Sequence, residues 1–520
     1  MKLNKKLALA VASAVLSISS SAFAAVDFMN DDAPFKTDIN IAGHNGDVQL
    51  YGIIDIGYMT VNHSLPINRN LPNNYYPFSY DAEGGHSPTN VGRQSNFING
   101  GMQDSRFGLK GGIDLFGAGD AKFKMIYQLE AGFNPLNGSL NDASKALAQN
   151  NAAYGGGTLK ANSVFADSSL NGDLFARQAW VGVDGGYLGK FTYGIQYNPF
   201  YEISGAYDPN QKSDSFSPLG QSGAIGGGGG ISENARMKNS IKYANAFEVP
   251  AIIGEKAKVN VAGMYQFGNN VDTDHGRGYA LQAGYETSMI GFQLAYNNFT
   301  DTVKADVDDK VHTDSAGDAL VNGITNPGSN AAYPLKFGLY NTDATIFAVK
   351  FTPTKEVKFS GGYQWITLSK PDDLFLNYGS VMGYQTIGGV VGWDQNSSKG
   401  VSSSNGNNQD IDFWWVGGEY NFGERFHALD GLTLSAAYYK TEYGSMYGGS
   451  GANGSGVNAS GKDWHINTET AILDYKLNKR FDIYAAATWN QFGGTYVTTG
   501  STSMVNTNID AYGLGVRMKF

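Results

Sequence analysis

The last twelve residues, Ile509-Asp-Ala-Tyr-Gly-Leu-Gly-Val-Arg-Met-Lys-Phe520, decide the fold class of this chain. Counting back from the terminus, large apolar side chains alternate with small or polar ones, as on a β-strand. One face carries Phe520, Met518, Val516, Leu514 and Tyr512, and the other carries Lys519, Arg517, Gly515, Gly513 and Ala511. In an exported chain, a terminal strand with one apolar face indicates a closed β-barrel in an outer membrane.

The N-terminus has the three parts of a secretory signal. Three lysines precede an apolar run from Leu7 to about Ile18, and the small-residue ending Ala22-Phe23-Ala24 follows. We therefore expect residues 1–24 to be removed on export. The apolar run is too short to be a transmembrane anchor, and no other segment approaches the roughly 20 apolar residues that a spanning helix needs.

The composition fits a barrel wall that faces lipid on one side and water on the other. The chain has 69 Gly, 31 Tyr and 29 Phe but only 16% charged residues, and its mean hydropathy of −0.29 is that of a soluble protein. It has no cysteine, which excludes a disulfide framework. The formal charge is −10, and loss of the three signal lysines, with no acid lost, lowers it to −13. This acidic balance argues against nucleic acid as a partner.

Period-2 segments bounded by Gly, Asn, Asp and Ser predict sixteen strands after a leader at residues 25–46. The barrel is therefore predicted to occupy residues 47–520. The predicted strands are 47–62, 104–116, 119–134, 173–186, 188–198, 236–246, 256–268, 277–287, 290–299, 341–353, 355–368, 410–422, 428–443, 463–477, 479–493 and 507–520.

Long connections alternate strictly with short ones along the predicted barrel. A transmembrane meander has this property, with short turns on the periplasmic side and long loops outside. The tight turns are Phe116–Gly119, Thr287–Ile290, Thr352–Lys355 and Leu477–Lys479. The long connections are 63–103, 135–172, 199–235, 300–340, 369–409 and 444–462, with shorter ones at 269–276 and 494–506.

Sequence signatures of catalysis are missing. The chain has no cysteine nucleophile, no Gly-x-Ser-x-Gly and no His-Glu-x-x-His, and its seven histidines are scattered. We therefore expect no enzyme activity, no cofactor and no bound metal.

Several basic side chains are predicted to point into the barrel. In the strand at 104–116 the apolar positions face lipid, which turns Arg106 and Lys110 toward the lumen. In the strand at 236–246, Met237, Ile241 and Tyr243 are predicted to face outward. That assignment leaves the basic residues of this strand inside, namely Arg236, Lys238 and Lys242.

The pattern around Arg177 is ambiguous, because Val181 and Val183 share its face of the predicted strand at 173–186. An arginine facing lipid at the membrane midplane costs about 2–4 kcal/mol, so we expect Arg177 in the lumen.

The third long loop, 199–235, carries the acids Glu202, Asp208 and Asp214. If this loop folds into the barrel, its acids face a wall of cations, and the excess of cations favours anions. The alternative is that each inward charge merely pairs with a neighbour across the lumen.

Ordered motifs along nearly the whole mature chain resemble the Gram-negative general porin family, especially its betaproteobacterial branch. The motifs are Val48-Gln-Leu-Tyr-Gly-Ile-Ile-Asp55, Asp104-Ser-Arg-Phe-Gly-Leu-Lys110, Tyr127-Gln-Leu-Glu-Ala-Gly-Phe133, Phe175-Ala-Arg-Gln-Ala-Trp-Val-Gly182, Tyr193-Gly-Ile-Gln-Tyr-Asn-Pro199, Arg236-Met-Lys-Asn-Ser-Ile-Lys-Tyr243 and the terminal Gly-Val-Arg-Met-Lys-Phe520.

The resemblance implies an all-β fold, a sixteen-stranded antiparallel transmembrane barrel that forms a homotrimer and whose third loop folds inward to narrow the pore. It also implies that Arg106, Arg177 and Arg236 form the arginine cluster at the constriction. The third loop departs from the family in lacking a Pro-Glu-Phe-Gly pattern.

The function expected is passive diffusion of small hydrophilic solutes and ions, with a preference for anions, across the outer membrane of a Gram-negative bacterium. Lipid, lipopolysaccharide and the barrel-assembly machinery are the other expected partners, and Phe520 resembles the signal that this machinery reads. One alternative is a substrate-selective channel for a sugar or organic anion, because four aromatic residues of the third loop can stack on a solute. They are Phe200, Tyr201, Tyr207 and Phe216. Another is an adhesin or surface role of the long loops.

Overall fold

Alternating side chains from sixteen strands build the wall of this protein, and the lumen receives one loop. The computed structural model describes residues 35–41, 43–66, 79–80, 92–118, 121–136, 138, 140, 164–166, 174–175, 177–221, 235–251, 256–268, 277–300, 304–307, 312–313, 319–321, 324–325, 336–338, 341–369, 409–443, 464–494 and 507–520. The predicted signal at 1–24 lies outside these residues.

The wall strands are labelled β1 to β16 in chain order, and β2 is built from two segments. They are β1 His44–Pro66, β2 Gly92–Asn99 and Arg106–Ala118, β3 Ala121–Gly132, β4 Gln178–Asp184, β5 Lys190–Tyr197, β6 Arg236–Pro250, β7 Lys256–Phe267, β8 Arg277–Glu286, β9 Ile290–Phe299, β10 Asn341–Phe351, β11 Val357–Ser369, β12 Gln409–Asn421, β13 Leu432–Tyr443, β14 Trp464–Lys476, β15 Phe481–Gly494 and β16 Asn508–Lys519.

Short elements lie outside the wall. Two α-helices, α1 Pro199–Tyr207 and α2 Pro218–Gln221, belong to the third loop, and 3-10 turns span Gly186–Leu188 and His427–Leu429. Within the described residues, no helix is long and apolar enough to cross a bilayer. The remaining short strands are Lys36–Ile41, Ser79–Tyr80, Val164–Ala166, Lys304–Val307, His312–Thr313, Ala319–Val321, Ile324–Thr325 and Lys336–Gly338.

The last strand closes the ring, as its alternating sequence predicts. β16 pairs antiparallel with β15 on one side and with β1 on the other, from Ile53 opposite Lys519 to Asn62 opposite Asp510. The two faces also differ as predicted. Leu514 and Val516 are 48% and 43% exposed on the outside of the ring, whereas Arg517 is 1% exposed on the inside. Sixteen antiparallel strands thus form a closed barrel.

Connections of alternating length separate the two ends of the barrel. We call one end the turn end, where neighbouring strands are joined by segments such as Thr287 to Met289 and Thr352 to Glu356. The other is the loop end, where β9 and β10 are separated by residues 300–340 and β11 and β12 by 370–408. The predicted alternation of turns and loops is confirmed.

The second strand is interrupted, which the sequence pattern did not predict. Residues 92–99, which we placed in a loop, form its first segment and pair with β1. After them the chain leaves the ladder at Gly100 and returns at Arg106. The buried Asp55 carboxylate fixes this excursion, because its Oδ2 atom accepts hydrogen bonds from the backbone N–H groups of Met102 and Gln103 at 2.9 and 2.8 Å.

A β-bulge in β6 reverses the predicted orientation of Met237. The register shifts between Met237 and Ser240, and Asn239 has a positive φ of 44°. One extra residue interrupts the side-chain alternation, so the faces assigned by alternation no longer hold around it. Met237 is therefore fully buried inside the barrel, in a cluster with Met264, Ala280 and Phe299, and the prediction that it faces lipid was wrong.

Part of the predicted leader extends the barrel wall at the turn end. The strand Lys36–Ile41 forms a hairpin with the start of β1, from Lys36 opposite Gln49 to Ile41 opposite His44. It occupies the same edge of β1 that β16 occupies further along the strand. The leader strand therefore continues the sheet along this edge of β1, next to the point where β16 ends.

Candidate pore constriction

The third loop enters the lumen through a helix that begins where β5 ends. Asn198 caps α1, and its side-chain oxygen accepts a hydrogen bond from the backbone N–H of Tyr201 at 2.6 Å. Pro199 occupies the first helical position, where its missing N–H costs nothing. Strand, cap and helix therefore follow directly from the local sequence.

Apolar side chains of the third loop lie against the inner wall. Phe200, Ile203, Tyr207 and Phe216 are between 0% and 2% exposed. The wall also holds the loop backbone, because Trp415 Nε1 donates a hydrogen bond to the Tyr207 carbonyl oxygen at 3.0 Å. Three of the four aromatic rings considered for solute stacking thus pack on the wall, and Tyr201 keeps intermediate exposure.

Asp208 anchors the turn after α1. Its carboxylate accepts hydrogen bonds from Ser217 Oγ, from the Tyr439 hydroxyl and from the backbone N–H groups of Asn210 and Lys212. Asp208 is 1% exposed, and burial raises the pKa of this carboxyl group. The structure thus places it between loop and wall rather than facing the arginines across a gap.

The tip of the third loop is fastened to the interrupted part of β2. Ser213 Oγ donates to the Gly101 carbonyl oxygen at 2.7 Å, and the Asp214 backbone N–H donates to the Met102 carbonyl oxygen at 3.2 Å. Thr470 Oγ1 donates to the Phe216 carbonyl oxygen at 2.9 Å. The loop is therefore fixed to the wall at several points inside the barrel.

Arg177 lies at the centre of a network of buried charges. It precedes β4 instead of lying within it, so the side-chain alternation of that strand does not govern its direction. Its Nε atom is 2.9 Å from Glu130 Oε1, and its Nη1 atom is 3.3 Å from Asp104 Oδ2. This explains how the Arg177 side chain lies beside these two acids although Val181 and Val183 face outward.

Two other arginines join the same network. Arg106 Nε lies 3.7 Å from Glu130 Oε2, so one carboxylate serves both Arg106 and Arg177. Arg236, at the start of β6, donates from Nη2 to the Tyr197 hydroxyl oxygen at 3.3 Å. The structure thus brings together the three arginines that the sequence singled out.

Lys212 of the third loop completes this group, which we call the basic cluster: Arg106, Arg177, Lys212 and Arg236. Its Nζ atom lies 2.7 Å from the centroid of the Tyr201 ring, and among the described residues no atom accepts a hydrogen bond from it. Lys212 is 9% exposed. Burial lowers its pKa well below the usual 10.5, an effect that nearby Asp214 opposes.

The remaining predicted cations occupy different surroundings. Lys242 Nζ is 2.6 Å from Glu202 Oε1, which makes a direct link between wall and loop. Lys110 is exposed, with its Nζ atom 5.0 Å from the centroid of the Tyr51 ring. Lys238 lies in the β6 bulge, where its backbone N–H donates to Gln266 Oε1 at 3.0 Å. Neither Lys110 nor Lys238 is part of the basic cluster.

Phe520 completes the ladder of hydrogen bonds between the last strand, β16, and the first strand, β1. It exchanges backbone hydrogen bonds with Gly52, at 2.8 and 3.0 Å. Its ring meets that of Phe35 edge to face, with centroids 6.2 Å apart.

Sequence reasoning missed Glu130, Asp104, Tyr197 and Lys212 as members of the site. A signal existed for Glu130, because the apolar side chains of residues 123, 125, 127 and 129 predict that the even-numbered positions face inward. Lys212 offered no such signal, since side-chain alternation says nothing about an irregular loop.

Comparisons with known proteins agree with this architecture. The family described as Gram-negative porin matches residues 8–495 of the chain. An outer membrane porin protein of Bordetella pertussis is 24% identical over 357 residues, covering 64% of this chain and 70% of that protein.

A solved structure of another porin shows the same fold. An anion-selective porin from Comamonas acidovorans superposes with a TM-score of 0.51 at 15% identity, covering 91% of this chain and 100% of that chain. OmpT, an outer membrane protein of Vibrio cholerae in its trimer form, gives a TM-score of 0.48 at 15% identity, covering 91% and 99%. The chain therefore belongs to the Gram-negative porin family, as an outer-membrane barrel for passive diffusion of small hydrophilic solutes.

Proposed function

We propose that this porin prefers anions to cations, because one guanidinium of the basic cluster reaches water while the carboxylate that pairs with it is buried. The observation that carries the proposal is the contrast within one ion pair. The Arg106 side chain is 20% exposed, whereas its partner Glu130 is 4% exposed. An ion passing the constriction therefore meets the guanidinium before the carboxylate.

The balance of charges in this region also favours anions. The three arginines of the basic cluster are accompanied by three nearby carboxylates, those of Asp104, Glu130 and Asp214, and Lys212 adds an excess positive charge when it is protonated. Lys242 and Glu202 cancel each other. Charge near the constriction decides selectivity, so an acidic chain can still form an anion-preferring pore. The anion selectivity of the Comamonas acidovorans porin agrees with this proposal.

Replacement of the three arginines tests the proposal. Triple substitution Arg106→Gln, Arg177→Gln and Arg236→Gln should reduce or abolish anion preference, measured as the zero-current potential across a planar bilayer in a salt gradient. Arg425→Gln is the matched control, because Arg425 lies exposed in the β12–β13 connection. A triple variant with unchanged selectivity would remove the arginines from the ion path.

The other functional alternatives receive less support. A substrate-selective channel needs rings that a solute can reach, but Phe200, Tyr207 and Phe216 are buried against the wall. Saturable block of the current by one sugar or organic anion would nevertheless establish such a channel. An adhesin role depends on long loops whose larger part lies outside the described residues.

A homotrimer is also part of the proposed function, as are contacts with lipopolysaccharide and the barrel-assembly machinery. The apolar residues on the outside of the ring provide a surface for lipid or for neighbouring protomers. Cross-linking of the protein in native outer membranes should yield a trimer, and a single protomer band would reject that assembly.

A further inference from the structure

Tyr197 occupies the junction between the barrel wall and the third loop. It is the last residue of β5, and its ring stacks on that of Tyr201 in α1, with centroids 4.4 Å apart and planes 4° from parallel. Lys212 lies on the Tyr201 ring, so the stack connects the wall to the loop turn that follows α1. Tyr197 thus influences where the third loop lies.

The same residue contacts three cations, which come from two separate parts of the chain. Its hydroxyl oxygen accepts hydrogen bonds from Arg177 Nη2 at 3.1 Å and from Arg236 Nη2 at 3.3 Å. Its backbone carbonyl oxygen accepts a third from Lys242 Nζ at 3.1 Å. Arg177 precedes β4, whereas Arg236 and Lys242 belong to β6, so the phenol bridges two guanidinium groups that the sheet does not hold together.

The chemistry of a phenol suits this position. A carboxylate here would bind both guanidinium groups but would cancel positive charge, and a phenylalanine would offer no acceptor. A tyrosine hydroxyl that keeps its proton accepts hydrogen bonds from two donors without reducing the net charge. The aromatic ring adds a cation–π contact, because the Arg236 guanidinium carbon lies 5.0 Å from its centroid.

We propose that Tyr197 is the positioning residue that fixes Arg177 and Arg236 relative to the third loop and thereby sets the ion selectivity of the pore. The sign of the effect rests on the anion preference proposed above. Coulomb's law gives the order of magnitude of its size. A unit charge that moves from about 4 to about 6 Å from an ion in water changes the population of that ion near the charge by about twofold.

Two substitutions separate the hydroxyl from the ring. Tyr197→Phe keeps the stack on Tyr201 but loses both hydrogen bonds, so ion selectivity should weaken by about twofold with little change in conductance. Tyr197→Leu loses the stack as well, so conductance should change too. Tyr193→Phe is the matched control, because Tyr193 lies on the same strand, faces outward and also uses its hydroxyl in a hydrogen bond, to Asn239.

The test compares the zero-current potential and the single-channel conductance of all three variants with those of the parent protein. A shift in Tyr197→Phe but not in Tyr193→Phe supports the proposal. An unchanged potential in Tyr197→Phe overturns it, as does a failure of this variant to fold, since the hydroxyl would then serve folding. A parent that prefers cations overturns the proposed function instead, while the shift in Tyr197→Phe still tests Tyr197.

Discussion

Arg177 Nε and Glu130 Oε1 lie 2.9 Å apart, with both side chains 4% exposed. Glu130 also attracts Arg106 and accepts a hydrogen bond from the Tyr51 hydroxyl at 3.0 Å. One buried carboxylate therefore holds two cations of the basic cluster and offsets part of their charge. The position of Glu130 behind the arginines has consequences for both stability and selectivity.

Glu130→Leu should destabilise the barrel, because Arg177 would remain buried without this partner. Removing one member of a buried ion pair lowers the free energy of unfolding by about 3–5 kcal/mol. Urea unfolding in a defined lipid or detergent measures this loss. Channels of Glu130→Gln that do form should show stronger anion preference, since a negative charge is lost. The matched control is Glu248→Gln, whose exposed pair with Lys256 is worth about 0–1 kcal/mol. Equal losses of stability in the Glu130→Leu and Glu248→Gln variants would contradict the structural role of Glu130.

Asp208 and Glu202 should respond differently to substitution although both belong to the third loop. Asp208→Ala removes the acceptor of four hydrogen bonds, so the loop should loosen and single-channel conductance should rise or become noisy. Glu202→Gln should instead increase anion preference at nearly constant conductance, because Lys242 loses its partner. An Asp208→Ala channel with normal conductance and a large gain in anion preference would show that Asp208 faces the ion path.

Anion preference should fall as the pH rises through the lowered pKa of Lys212. Below that pKa the ammonium is charged and adds to the basic cluster; above it the amine is neutral. Because burial lowers this pKa well below the usual 10.5, the loss should come at a lower pH than for an ordinary lysine. Zero-current potentials recorded from mildly acidic to alkaline pH provide the measurement. Lys212→Met should flatten this part of the profile, and a parent-like profile in that variant would falsify the assignment.

Deletion of Phe520 should reduce the yield of folded barrel while the surviving channels conduct normally. The deletion removes two backbone hydrogen bonds to Gly52 and a ring contact with Phe35, and none of these contacts involves a side chain of the basic cluster. Phe35→Ala, which loses the ring contact alone, separates the two effects. Folded yield can be followed by the heat-dependent shift in electrophoretic mobility. Altered conductance in channels that lack Phe520 would argue against a role restricted to assembly.

Strand number, ring closure and loop alternation could be predicted from the sequence because one periodicity covers the whole wall. Each strand repeats an apolar side chain at every second position, and the closed ring gives β16 a partner in β1. These features depend on local pattern and on the membrane, which requires every backbone group of the wall to be paired.

Departures from the predicted pattern occur where the ladder is irregular. The bulge at residues 238 and 239 reverses the face of Met237, and the chain leaves the ladder between Asn99 and Arg106. Assigning faces by side-chain alternation assumes an uninterrupted strand, so the assignment fails at both places. The three arginines were nevertheless singled out, Arg106 and Arg236 by side-chain alternation and Arg177 by the cost of an arginine that faces lipid, and the family motifs contain all three. Lys212 and the hydrogen-bonding role of Tyr197 depend on how the third loop folds back, which no periodicity encodes.

The zero-current potential of the unmodified porin in a salt gradient is the most direct test of its anion preference. With KCl at different concentrations on the two sides of a planar bilayer at neutral pH, we expect a potential with the sign of chloride preference. The triple substitution Arg106→Gln, Arg177→Gln and Arg236→Gln should remove that preference. A potential with the sign of potassium preference in the unmodified channel would contradict it.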